Sequence, residues 1–150
     1  MEVFKLKYKK IDNKAYPPSK KYELDAGIDL YCLEDIDWSD NHSFWTVLVR
    51  TGISIEVPPG YHLGTAPRSS MLFGKQIGTY YSVIDTGYMG EITFLLHHWG
   101  KERPSPIKRG DKIAQVIPTK NMITSIEFEE VDELPNHSPR KFSGFGSTNE

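Results

Sequence analysis

Apolar and polar residues alternate along most of the chain with the period of two that a half-buried strand requires. Phe4, Leu6 and Tyr8 interleave with Lys5, Lys7 and Lys9, which predicts a strand with a basic outer face. Ile28 and Leu30 flank Asp29. Over residues 47–57, Ile53, Ile55 and Val57 share one face and Ser54 and Glu56 the other. Val83 and Ile84 lead into Asp85. Thr86-Gly87 then reads as a tight hairpin turn, because glycine reaches positive φ at little cost, and residues 92–96 leave it as a new strand. Apolar neighbours of Gln115 predict a mostly buried strand there, and Met122, Thr124, Ile126 and Phe128 a last alternating one. Pro17-Pro18, Pro58-Pro59-Gly60, Pro104, Pro106 and Arg109-Gly110-Asp111 punctuate these runs.

The period changes once, at Pro67-Arg68-Ser69-Ser70-Met71-Leu72-Phe73-Gly74. Ser69 or Ser70 can cap a short helix, Met71, Leu72 and Phe73 can bury, and Gly74 can close it. Many short strands, Gly/Pro turns, one short helix and no internal repeat predict an all-β fold, a sandwich, jelly roll or barrel.

Several positions carry chemistry. Asp85 and Tyr88 would sit together at the rim of a sheet; taken alone, that stretch is a hairpin with a capping Asp and a packing Tyr. Asp29 alone is a solvent-facing strand residue. Arg68 with two hydroxyls at a helix start is either an anion site or an ordinary cap beside a surface Arg. An amide at Gln115 in an apolar strand needs partners. The tail from Pro135 is rich in Ser, Gly, Pro and Asn, yet holds Phe142 and Phe145, aromatic side chains that a lid would use and a plain tail would not.

Composition narrows the classes. The chain has 150 residues, 38% hydrophobic and 25% charged, which suits one globular domain with a real core. Its net charge of −2 argues against direct nucleic-acid binding. The single cysteine, Cys32, excludes an internal disulfide framework and a multi-cysteine metal site, and predicts a small buried hydrophobe in a reduced compartment. There is no apolar run of membrane-span length and no signal-peptide pattern at the start, so the expectation is a cytoplasmic protein without membrane contact. No Walker loop, dinucleotide fingerprint or serine-nucleophile elbow is present. The five histidines show no metal-site spacing, and His97-His98 are expected to straddle a strand.

Taken together, five stretches resemble the trimeric dUTP diphosphatase (dUTPase) family, in the family's order. They are Ala26-Gly27-Ile28-Asp29-Leu30, Pro67-Arg68-Ser69-Ser70, Val83-Ile84-Asp85 through Tyr88 with Gly90 and Glu91, Gly110-Asp111-Lys112-Ile113-Ala114-Gln115, and Arg140 with Gly144-Phe145-Gly146-Ser147-Thr148. The resemblance implies a jelly-roll-like β domain over residues 1–134 and a flexible C-terminal lid arm over 135–150. It implies a homotrimer with active sites shared between subunits. The implied reaction is cleavage of dUTP to dUMP and pyrophosphate with Mg²⁺, which limits uracil in DNA and supplies dUMP for thymidylate synthesis.

The resemblance also assigns roles. Asp85 orients and deprotonates the attacking water. Tyr88 packs on the deoxyribose and leaves no room for a 2′-hydroxyl. The backbone at Ser82 and Val83 reads the uracil edge. Arg68, Ser69, Ser70 and Gln115 hold phosphate oxygens, and Asp29 reaches Mg²⁺ through water. In the lid, Phe145 stacks on uracil, Arg140 meets the γ-phosphate, and Gly146 and Ser147 donate to phosphates.

The sequence departs from the family pattern at Ser70, Ser82, Lys141, Phe142 and Asn149. These bear on affinity and lid closure more than on the reaction. The related dCTP deaminases share Arg-Ser-Ser, but the positions of their second Arg and catalytic Glu hold Phe73 and Leu95 here, which disfavours deamination. The alternative from another class is a catalytically modest nucleotide sensor with an unidentified regulatory protein partner. Its contact surfaces would be residues 35–44 and 97–107.

Overall fold

The computed structural model describes residues 3–40, 44–123, 125–140 and 142–145. Among them the order is β1 (Tyr8–Lys10), β2 (Ile28–Tyr31), β3 (Ser39–Asp40), β4 (Trp45–Arg50), β5 (Ile53–Ile55), β6 (Tyr61–Ala66), α1 (Ser69–Lys75), β7 (Ile77–Thr79), β8 (Val83–Ile84), β9 (Thr93–His98) and β10 (Lys112–Lys120). Two four-stranded antiparallel sheets, ordered β2-β10-β6-β8 and β3-β4-β9-β7, share one core with the small β1-β5 pair. The all-β, jelly-roll-like expectation holds.

Alternation builds that core. In β4, Val47 and Val49 turn inward while Leu48 and Arg50 turn out; in β9, Phe94 and Leu96 are buried between exposed Thr93 and Leu95. Leu30, Leu63 and Val116 enter from the other sheet. Each large side chain buried in this way contributes about 1.5–3 kcal/mol. Pro118 is tolerated in β10 because that strand has by then outrun β2, whose pairing ends at Val116. His97 and His98 both lie in β9, as expected.

Five local expectations are corrected. The first strand is shorter, and β1 is exposed throughout because it meets only β5. The run over 47–57 is two strands, separated at Thr51-Gly52, where Gly52 has φ 68°. The helix is capped by Arg68 without a side-chain hydrogen bond, rather than by serine, and it buries Met71 alone. Gln76, in the left-handed region at φ 57°, closes it instead of Gly74. A two-turn helix lying on the surface offers the core only one position, and Phe73 faces solvent.

The fourth correction concerns the turn at Thr86-Gly87. Gly87 does take positive φ, 93°. The flanking strands do not pair with each other, however. β8 pairs with β6, and β9 pairs with β4 and β7, so the segment crosses between sheets. Fifth, no strand forms beyond β10 among the described residues. Met122, Ile126 and Phe128 are exposed, and Thr124 lies outside the described residues. An alternating pattern becomes a strand only where an edge is available to accept it.

Candidate functional site

The antiparallel register of β2 on β10 sets one group of residues. Asp29 faces Gln115, Leu30 faces Ala114 and Tyr31 faces Lys112, with a bulge between Lys112 and Ala114. Lys112 and Gln115 are an odd number of residues apart, which in a regular strand sends side chains to opposite faces. The extra residue of the bulge brings them to the same face. Lys112 Nζ therefore reaches Asp29 Oδ2 at 3.6 Å.

Arg68 completes the group. Its Nε donates to Asp29 Oδ1 at 3.2 Å, and the Asp29 side chain is only 13% exposed. Gln115 pairs with Ala66 on its other flank, and its Nε2 donates to the carbonyl of Pro67 at 3.0 Å. The amide thus fixes the residue that precedes Arg68. Two cations on one shielded carboxylate leave a local excess of positive charge. Arg68, Ser70, Lys75, Asp111 and Lys112 line part of a cleft of 560 Å³ on this side. Ser69 and Ser70 are the exposed first residues of α1. The arrangement can hold an anion. The sequence motif gives Lys112 no role of its own; the bulge reveals one.

A second group surrounds the crossing between sheets. Ser82, Val83, Asp85, Tyr88 and Glu91 line part of a separate cleft of 320 Å³. Buried Thr65 positions its entrance. Thr65 Oγ1 accepts from the Ser82 N–H at 2.8 Å and donates to the Tyr80 carbonyl at 3.0 Å, while the Thr65 N–H donates to the Ser82 carbonyl at 3.1 Å. Sequence reasoning missed Thr65, which reads as one more strand residue.

Tyr88 is held by its hydroxyl, which donates to the Glu91 carbonyl at 2.9 Å. Gly90 makes this possible, because a Cβ there would lie 2.5 Å from the Tyr88 hydroxyl oxygen. Asp85 is exposed, directly after the Ile84–Leu63 pair. On the 3.3 Å rise of a strand, that position is about 13 Å along β6 from Ala66. One chain therefore brings Asp29, Arg68 and Gln115 together, and separately Asp85, Tyr88, Ser82 and Val83. It does not bring the two groups into one cleft.

Arg140 Nη1 donates to the Ser143 carbonyl at 3.3 Å within its own segment, and Phe142 and Phe145 are exposed. Gly146, Ser147 and Lys141 lie outside the described residues. Cys32 is buried, its thiol donates to the Glu34 carbonyl at 2.9 Å, and burial pushes its pKa up. No helix among the described residues is long and apolar enough to cross a membrane.

The chain is similar over nearly its full length to known proteins. It is 38% identical over 146 residues to the deoxyuridine 5'-triphosphate nucleotidohydrolase of Trichodesmium erythraeum, covering 96% of this chain and 98% of that one. The structure of the Staphylococcus bacteriophage 80alpha dUTPase with dUpNHpp superposes with a TM-score of 0.81 at 22% identity, covering 99% of this chain and 100% of that one. A dUTPase mutant from phage phi11 of S. aureus, whose structure concerns the coordination of a structural Mg(II) ion, gives 0.74 at 18% identity over 89% of this chain and all of that one. The two phage structures share the fold. The dUTPase family model matches residues 13–149, and the chain belongs to the dUTPase family.

Proposed function

We propose that this chain hydrolyses dUTP to dUMP and pyrophosphate, at sites completed between subunits of a homotrimer. The observation that supports it best is the division of labour on one sheet: a cationic cleft at Arg68 and Lys112, and a separate cleft holding a carboxylate and an aromatic ring. A triphosphate suits the first and a nucleoside the second. A second copy that sets one chain's anion cleft against another's Asp85 reconciles the distance between them.

In this reading the Asp85 carboxylate accepts a proton from the water that attacks the α-phosphorus. A carboxylate is a weak base at neutral pH, so positioning and charge neutralisation supply most of the rate. Arg68 and Ser69, with Ser70 beside them, hold phosphate oxygens. Gln115 spends one N–H on Pro67 and has a second for phosphate. Tyr88 lies against the sugar and excludes a 2′-hydroxyl, and the backbone at Ser82 and Val83 reads the uracil edge. The arm from Pro135 closes over a neighbour's site, with Phe145 on the base and Arg140, Gly146 and Ser147 on the phosphates.

Among the described residues no group of three or more His, Cys, Asp or Glu side chains is placed to hold a metal ion. That fits an ion carried in by the triphosphate with its waters, as Mg²⁺ prefers, better than a cage built by protein alone. Asp29, beside the anion cleft, would reach the ion through water. Bound Mg²⁺ would neutralise charge on the phosphates. Removing dUTP and supplying dUMP for thymidylate synthesis would follow in the cytoplasm, a compartment that suits a reduced, buried Cys32.

The test is product analysis. The protein is incubated with Mg²⁺ and dUTP, dCTP, UTP or dTTP separately, and pyrophosphate, monophosphate and ammonia are scored. Pyrophosphate and dUMP from dUTP alone are expected. Ammonia from dCTP, or no product from dUTP, overturns the reading.

A further inference from the structure

The crossing segment 85–91 is pinned at several points, and one of them is reached from outside the site. Thr86 Oγ1 donates to the Pro58 carbonyl at 3.0 Å, and Ser54 Oγ donates to the Met89 carbonyl at 3.0 Å. These bonds hold the turn. Glu91 is held differently, by Arg50 on β4. Arg50 Nε donates to Glu91 Oε2 at 3.0 Å and Nη2 donates to Oε1 at 2.9 Å. This is a two-point grip that a guanidinium fork makes and an ammonium does not.

The grip is supported on both sides. Arg50 faces outward because Val49 faces the core, and its register partner on β9 is Thr93. Glu34 lies 4.0 Å from Nη1 and adds a second negative charge. The Glu91 side chain is 15% exposed against 47% for Arg50, so the carboxylate end is the shielded one. The pair raises the Arg50 pKa, through the hydrogen bonds to Glu91 before all other causes.

Glu91 is also the residue whose carbonyl receives the Tyr88 hydroxyl. Its side chain and its main chain therefore join Arg50 to the Tyr88 ring in two steps. Gly90 leaves no side chain between them, and the ring rests where a Cβ of residue 90 would be.

Resting on the reading of Tyr88 as the sugar-facing residue, we infer that Arg50 is a positioning residue for sugar selection. By fixing Glu91 it fixes the carbonyl that anchors the Tyr88 hydroxyl, and so the clearance between the ring and C2′ of the nucleotide. Arg50 itself touches no substrate. Without it, the Glu91 main chain gains freedom, its carbonyl holds the Tyr88 hydroxyl less firmly, the ring relaxes outward, and a 2′-hydroxyl is admitted.

The test measures binding rather than turnover. Affinities for dUpNHpp and for its ribose counterpart are compared by calorimetry in the full-length wild type, Arg50→Met, Arg50→Lys and Glu91→Gln, with thermal melting run alongside. Wild type is expected to prefer the deoxynucleotide. Arg50→Met is expected to lose about tenfold of that preference, chiefly by gaining affinity for the ribose form, since small misplacements in a tight site carry factors of this size or larger. Arg50→Lys keeps the charge but not the fork and recovers part of the loss. Glu91→Gln, which keeps the volume, reports on the same contact if Arg50→Met does not fold. A variant series that melts earlier with an unchanged preference gives the pair a purely structural role and overturns this inference alone. A wild type without any preference overturns the reading of Tyr88 as well.

Discussion

Gln115 occupies the space that Gly27 leaves bare: a Cβ at Gly27 would lie 1.6 Å from Gln115 Oε1 and 2.6 Å from its amide carbon. The glycine is a steric condition for the amide, and the amide in turn holds Pro67 next to Arg68. Gly27→Ala is expected to fold, because the atoms displaced are the far end of a flexible side chain. It should lose about 1 kcal/mol with the broken hydrogen bond. Its kcat/KM for dUTP should fall by roughly 10–100-fold as Gln115 leaves its place. A double-mutant cycle with Gln115→Ala checks the link. Fully additive effects of the two substitutions would break it.

Asp85→Asn removes the proposed base while keeping the shape of the second cleft. Turnover of dUTP should drop by about 10²–10⁴-fold, the range a positioned base contributes. Binding of dUpNHpp should persist. Steady-state kinetics beside calorimetry separates the two effects, and full activity in this variant removes Asp85 from the mechanism.

Deletion from Arg140 onward takes away exposed Phe142 and Phe145 and a hydrogen bond local to that segment, so the fold loses no buried contact of theirs. The truncated chain should melt within a few degrees of the full one and yet turn over dUTP far more slowly. Unchanged kinetics would make the arm a tail and nothing more.

His97 predicts a pH dependence of stability. Its ring lies 4.7 Å from Tyr80 and 5.5 Å from Trp99, and its Nδ1 is buried without a hydrogen-bond partner among the described residues. Burial lowers its pKa from the ordinary value of 6.5. Between that value and the lower folded one, the unfolded chain binds a proton that the folded chain refuses, so stability rises with pH. The contribution is complete above pH of about 6.5 and is lost as pH falls toward the folded value. Thermal melting at pH 7.5 and 5.5 should show the loss, and His97→Phe should show less of it. Parallel curves for the two proteins would assign the acid sensitivity elsewhere.

Much was legible in the linear order of residues. A period of two put Ile53, Ile55 and Val57 on one face, the face the core buries, and made the fold all-β, because a strand's two faces follow from its own geometry. The five motifs carried the family, since each keeps side chains of definite chemistry at definite spacing. The periodicity says which way a side chain points but not which strand lies beside it. Pairing partners are non-local, so the bulge that turns Lys112 toward Asp29, the crossing of 85–91 between sheets and the grip of Arg50 on Glu91 were decided only when the sheets assembled. The same reason separates Asp85 from Arg68 within one chain and leaves residues 125–134 without a strand partner among the described residues. A pattern can prescribe a strand, while the edge that receives it is supplied by the rest of the structure.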